Sequence, residues 1–184
     1  MLWQNELMQT AVLPHPSLET LRRQAQWMAL LMLAVTLHVI EASLPSLGPW
    51  LKPGLANVVT LIALVMLGPG RAFGLAVARV FAGAMIIGTL FTPTFVLSLS
   101  GALAAAVVMF AAWRLIPDIS LIGVSLLGAL AHMLVQFVTV EALFIRQSTL
   151  YYLLPPLLLA SCATGWLNGI LATYVTERLK GNHG

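Results

Sequence analysis

The chain has 184 residues, 60% of them hydrophobic and 8% charged, with a formal net charge of +3. Soluble domains carry about 25% charged residues, so a water-soluble fold is excluded. The 9 Lys and Arg residues, set mostly at segment ends, exclude the concentrated basic surface that nucleic acid requires, and the single cysteine, Cys162, excludes an internal disulfide framework or a thiolate metal cluster.

The expected class is therefore an all-α integral membrane bundle. Hydrocarbon satisfies no backbone hydrogen bond, so each crossing of a core about 30 Å thick needs about 20 apolar residues as helix. Residues 1–24 read as a cytoplasmic N-terminal segment. Its Glu6, Pro14, Pro16 and Glu19 precede Arg22 and Arg23, which is not the order of a cleavable signal peptide. The first span, Ala25–Leu44, ends at Pro45 and a loop containing Gly48, Pro49, Pro53 and Gly54. The second, Asn57–Leu67, is short and stops at Gly68-Pro69-Gly70. Further spans follow at Ala72–Leu90, Pro93–Trp113, Ser120–Ile145 and Tyr151–Tyr174. The membrane domain thus covers residues 25–175 with about six helices, and 176–184 form a cytoplasmic tail.

Cytoplasmic loops retain positive charge during insertion. One side receives Arg22, Arg23, Arg71, Arg114, Arg178 and Lys180, and the other receives Lys52 and Arg146. Both termini are accordingly expected in the cytoplasm. Gly74, Ala78 and Ala82 on the third helix, and Gly101 and Ala105 on the fourth, recur at four-residue spacing and predict close helix packing.

Polar groups at membrane depth are costly unless paired or facing water, so each is a candidate site. Arg79 lies about seven residues, roughly 10 Å, into the third span. It is expected to face the bundle interior, as a structural clamp or as a contact for an anionic ligand or coupling partner. His38 and Glu41, three residues apart, share a face near the outer end of the first helix. Ser125, Gly128, His132 and Gln136 form one stripe along the fifth helix, with Glu141 off it. That stripe is read either as a hydrogen-bonded seam between helices or as a pocket wall. Between the first two helices, Lys52-Pro53-Gly54-Leu55-Ala56-Asn57 predicts an unusual turn, with Asn57 able to cap the second helix. Trp50, Tyr151 and Tyr152 would suit a flat ring such as a flavin or quinone-like molecule, and equally serve as membrane-belt anchors.

No phosphate-binding loop, His-rich metal spacing or paired-aspartate magnesium motif is present, and the one aspartate, Asp118, lies in a loop beside Pro117. These absences predict a protein that is not an enzyme, holds no metal or cofactor, and hydrolyses no nucleotide of its own.

At Glu41 through Pro45, Lys52 through Asn57, Arg79 with Gly83, Gly88 and Thr89, Ser98 with Gly101, and Gly123 through Gln136, the chain resembles the Gx transporter family, also described as heptaprenyl diphosphate synthase component I. The resemblance covers about Glu41 to Gly165, and Met133 departs from it by standing where an asparagine would follow the histidine. Its members are similar to substrate-binding S-components of energy-coupling-factor importers. What the resemblance implies is a six-helix subunit of the bacterial cytoplasmic (inner) membrane that captures a small molecule, such as a vitamin, flavin or isoprenoid-related compound. Its partners would be a coupling transmembrane subunit, an ATPase pair and membrane lipid. His38, Glu41, Asn57, Arg79, His132 and Gln136 are the candidate ligand contacts. Ala25 and Ala29 are similar to the small-residue motif that docks the coupling subunit. The rival expectation is a non-transporting membrane partner of an isoprenoid-biosynthetic or electron-transfer enzyme.

Overall fold

The computed structural model describes residues 17–43, 54–145 and 147–181. The expectations placed on Pro45, Gly48, Pro49, Trp50, Lys52, Pro53 and Arg146 fall outside these residues. The described chain holds helices α1 (Leu18–Ser43), α2 (Leu55–Leu67), α3 (Pro69–Ile87), α4 (Pro93–Leu115), α5 (Leu121–Leu143) and α6 (Leu154–Gly181), with a short 3-10 helix at Ser148–Leu153 before α6. Five helical stretches are long and apolar enough to cross a membrane, and α2 is the shorter apolar one. The protein is a multi-pass membrane bundle.

Local chemistry sets the helix ends. Thr92 and Ser120 cap α4 and α5 by accepting from the backbone N–H of Phe95 (3.4 Å) and Gly123 (3.1 Å). Pro69 and Pro93 open α3 and α4, where the missing N–H costs nothing. Helices α1 and α6 begin earlier and end later, respectively, than the membrane segment 25–175 expected from hydropathy. The reason is that charged residues at their ends continue the helix into the polar zone, as in the Glu19–Arg23 pair one turn apart. The aromatic residues expected to start the sixth span lie instead in the 3-10 turn.

Each helix from α2 to α6 packs on the next, and α6 returns to α2, while α1 lies against α2 and α3. Every residue of α2 from Ala56 to Leu64 is buried. Its Leu61 and Leu64 join Leu75, Met109, Val124 and Ala172 in an apolar core. The outer surface presents large apolar side chains such as Met32, Met85, Phe110, Leu134 and Val138, as lipid contact requires.

Lipid tails are as apolar as leucine, so helix association relies on close packing. Gly165 and Gly169 bring α6 onto α5 so tightly that a methyl group at Gly169 would sit 2.6 Å from the Ile122 Cα atom. Gly101 and Ala105 are buried, as the four-residue spacing predicts. The expectation for Gly74, Ala78 and Ala82 is corrected. These three are only half-buried, and a methyl group on Gly74 would meet nothing within 4 Å. The interior face of α3 is the neighbouring stripe of Ala72, Leu75, Ala76, Arg79, Val80 and Gly83, because Arg79 must point inward and fixes the rotation of the helix.

Candidate functional site

The start of α2 is the unusual local feature. Gly54, with φ of 67°, takes the left-handed conformation that favours glycine, and its carbonyl accepts from the Asn168 side chain at 3.2 Å. The Glu41 carboxylate accepts the Leu55 backbone N–H. Two neighbouring helices thus hold the first turn of α2 inside the bundle. The capping role expected of Asn57 is corrected, since Glu41 of α1 satisfies an N–H of that turn and Gly54 provides the N-cap without a side-chain bond. Asn57 is free to work elsewhere, and its Oδ1 accepts from Arg79 Nη2 at 2.5 Å.

Asn57 precedes the end of α2 by ten residues and Arg79 follows the start of α3 by ten, so the pair sits about 15 Å from the Gly68 turn, near the middle of a 30 Å core. That is deeper than the roughly 10 Å read from the sequence, because α3 begins at Pro69 rather than Ala72. Arg79 is 4% exposed. Its Nε has no hydrogen-bond partner among the described residues. Glu41 is near enough for the two opposite charges to act on one another.

Beyond this pair, toward the end where α1 stops and α2 starts, lies a cavity of about 130 Å³. His38 and Glu41 of α1, Gly54 and Asn57 at the start of α2, Arg79 and Val80 of α3, and Thr94, Leu97 and Ser98 of α4 line it on one side. Ala129, His132, Met133 and Gln136 of α5, with Ala160, Ser161, Thr164 and Asn168 of α6, line the other. All six sequence candidates border this one space. Every helix contributes, whereas the sequence candidates come from the first, second, third and fifth helices. A second cavity of about 90 Å³ shares His38, Val80, Thr94 and Ser98 with the first.

Small residues make room for the polar ones. A methyl group at Gly83 would collide with the His38 ring, and one at Gly101 would lie 2.8 Å from Gln136 Cγ and 2.9 Å from His132 Cε1. Gln136 is held in place by donating from Nε2 to the Leu97 carbonyl at 3.1 Å. The α5 stripe therefore divides. Ser125 and Gly128 pack against neighbouring helices, Ser125 beside Gly169 and Gly128 against Met109, while His132 and Gln136 turn to the cavity.

Sequence reasoning missed Ser161, Thr164 and Asn168. Their three- and four-residue spacing places them on one face of α6, the same signal that marked the α5 stripe. Ser161 also donates to the Ala129 carbonyl at 2.8 Å, tying α6 to α5 beside the cavity. Glu141, Tyr151 and Tyr152 do not border the cavity, and both tyrosines are exposed. Ala25 and Ala29 lie on the exposed side of α1, opposite Trp27 and Leu30, which pack on the core. Among the described residues there is no group of three or more His, Cys, Asp or Glu side chains able to hold a metal ion.

No curated protein and no solved structure matches the chain significantly. Residues 30–175, most of the membrane bundle, match the family described as heptaprenyl diphosphate synthase component I, and the chain belongs to that family.

Proposed function

We propose that this chain is the substrate-binding membrane subunit of an energy-coupling-factor-type importer, and that it captures a small molecule in the cavity lined by all six helices. The observation that carries this reading is the convergence of His38, Glu41, Asn57, Arg79, His132 and Gln136 on one space. A bundle that needed only stability could fill that space with apolar side chains, as it does around Leu61 and Leu75. In this reading the chain resides in the bacterial cytoplasmic membrane with both termini inside, the cavity faces outward, and the apolar core around α2 seals the cytoplasmic half. Ala25 and Ala29, exposed on α1, form the surface that docks the coupling subunit.

Size narrows the ligand. A cavity of about 130 Å³ is close to the roughly 150 Å³ that accommodates benzene, and drug-sized ligands occupy about 300–1,000 Å³. A single ring or a short chain fits, whereas a whole flavin or quinone requires the helices to part.

The family description favours a second reading, a non-transporting membrane partner of an isoprenoid-biosynthetic or electron-transfer enzyme. Prenyl transfer on this chain itself is disfavoured, because magnesium diphosphate needs clustered carboxylates and, among the described residues, the cavity offers Glu41 alone. Affinity purification of the tagged full-length chain from its own membranes separates the two. Recovery of an ATPase pair with a coupling subunit supports the importer. Recovery of a prenyl synthase or a redox protein in their place overturns it.

A further inference from the structure

We infer that the ligand of this cavity carries a single carboxylate, which pairs with Arg79 at the buried start of α2; this rests on the reading of the cavity as a capture site. Arg79 is the only guanidinium or ammonium group among the described residues that line the cavity. A cation this deep is retained only with partners, and Glu41 supplies an opposite charge near it without filling the whole guanidinium fork. Asn57 Oδ1 takes one N–H of Nη2, and Nε lies buried with no partner among the described residues. Nε and Nη2 make one edge of the guanidinium fork, which matches the two oxygens of a carboxylate.

Two further features favour an anion there. The first turn of α2, where Gly54 and Asn57 border the same space, sets the positive end of its helix dipole there, and the Glu41 carboxylate already accepts one of its N–H groups. Gly54, pinned by Asn168, adds no side chain of its own, and the side-chain amides of Asn57 and Asn168 come within 3.5 Å of where its Cβ would lie. Glu41 then limits the charge of the ligand. With one positive and one negative side chain among the described residues of the wall, a monoanion brings their sum to about −1, while a phosphate ester near −2 meets the Glu41 carboxylate with a second full charge. The volume agrees, since a carboxylate on one ring or a short chain fills it.

The test uses the full-length chain purified in detergent and a panel of monocarboxylates with six to twelve heavy atoms, about the range the cavity admits, each paired with its own amide. Benzoate with benzamide and hexanoate with hexanamide are two such pairs. Binding is read by calorimetry and by thermal shift. At least one carboxylate is expected to bind about tenfold or more tightly than its amide, the effect of a charge-assisted contact. Arg79→Gln is expected to abolish that preference. Because the comparison within each pair is made on the native chain, it does not depend on whether the variant folds. The proposal is overturned if no pair shows a preference, if amides bind as tightly as acids, or if inorganic phosphate binds more tightly than every carboxylate. An amide that binds and is weakened by Thr164→Val removes the carboxylate and keeps the capture site. Absence of binding by every probe, together with recovery of no ATPase pair, removes both.

Discussion

Arg79 and Asn57, 22 residues apart in the chain, are joined side chain to side chain at 2.5 Å in the middle of the bundle. The bond ties the centre of α3 to the first turn of α2 and sets the floor of the cavity. Removing the acceptor leaves a guanidinium buried without its neutral partner. Asn57→Leu is expected to lower stability by about 1.5–3 kcal/mol, the range for a hydrogen bond to a charged group. Arg79→Met combined with Asn57→Leu is expected to recover part of that loss, since no charge remains to be satisfied. Thermal unfolding of the two single variants and the double variant in detergent measures the coupling. Strict additivity would show that the two residues act independently.

The glycines of α3 divide into two kinds, and alanine distinguishes them. A methyl group on Gly83 drives into the His38 ring, whereas one on Gly74 meets nothing. Gly74→Ala is therefore expected to be neutral or stabilising by up to about 1 kcal/mol, the helix-propensity difference. Gly83→Ala is expected to displace His38 and weaken ligand binding. Equal melting temperatures and equal binding for the two variants would refute the assignment of Gly83 as a seat for His38.

Glu41 and Asn168 hold the start of α2 from opposite sides. Glu41→Ala leaves the Leu55 N–H without its acceptor, and a lost N-cap acceptor costs about 0.5–2 kcal/mol. Glu41→Gln keeps an acceptor oxygen while removing the charge, so its melting temperature is expected to lie between those of Glu41→Ala and the parent. A Gln variant no more stable than the Ala variant would mean that the charge, rather than the hydrogen bond, matters.

Orientation is checked from exposed positions at opposite ends. In a Cys162→Ser background, cysteine at Gln147 is expected to react with an impermeant thiol reagent on intact cells, and cysteine at Glu177 only after lysis. The expectation follows from the excess of Lys and Arg at the end that carries Arg22, Arg23 and Arg178. The reverse pattern inverts the topology and turns the cavity toward the cytoplasm.

Much of the fold was legible because hydropathy and helix punctuation are local. Pro93 and Ser120 mark helix starts with chemistry contained within one turn, while Pro69, expected only as the end of the second span, opens α3. The candidate site was legible where a polar residue interrupts an apolar run, as at Arg79, His132 and Gln136. The same signal is present at Asn168, which shares a polar face of α6 with Ser161 and Thr164. What sequence could not provide was rotation. Gly74, Ala78 and Ala82 and the true interior stripe of α3 are both helical repeats of small residues, and only the partners of Arg79 and Gly83 on α2 and α1 decide which one faces inward. The role of Asn57 was hidden for a related reason. Its position near a helix start fits a cap equally well until Glu41 arrives from another helix to satisfy an N–H of that turn.

The cavity residues should separate from the packing residues when binding and stability are measured together. Gln136 and Thr164 face the cavity from α5 and α6. Each also makes a helix contact, Gln136 to the Leu97 carbonyl and Thr164 to the Ser161 carbonyl at 3.1 Å. Ser125 belongs to the same α5 stripe and does not border the cavity, lying instead beside Gly169. Gln136→Leu and Thr164→Val keep side-chain volume nearly constant, so cavity shape is preserved while a polar group disappears. A ligand that used that group then leaves its own partner atom unpaired, at about 1–3 kcal/mol, or roughly five- to 150-fold in affinity. The intrahelical Thr164 bond and the single Gln136 bond are each worth only about 1 kcal/mol to the fold, so melting temperature should move by a few degrees at most. Ser125→Leu is expected to do the opposite, because the larger side chain has no room at the α5–α6 contact and overpacking costs about 1–3 kcal/mol. The measurement is ligand affinity plotted against melting temperature for the three variants, using a probe shown to bind the parent. Loss of affinity at preserved stability for Gln136→Leu and Thr164→Val, with loss of stability for Ser125→Leu, assigns the cavity to binding. If all three lose stability in proportion to affinity, the polar residues form a packing network and the ligand is held elsewhere.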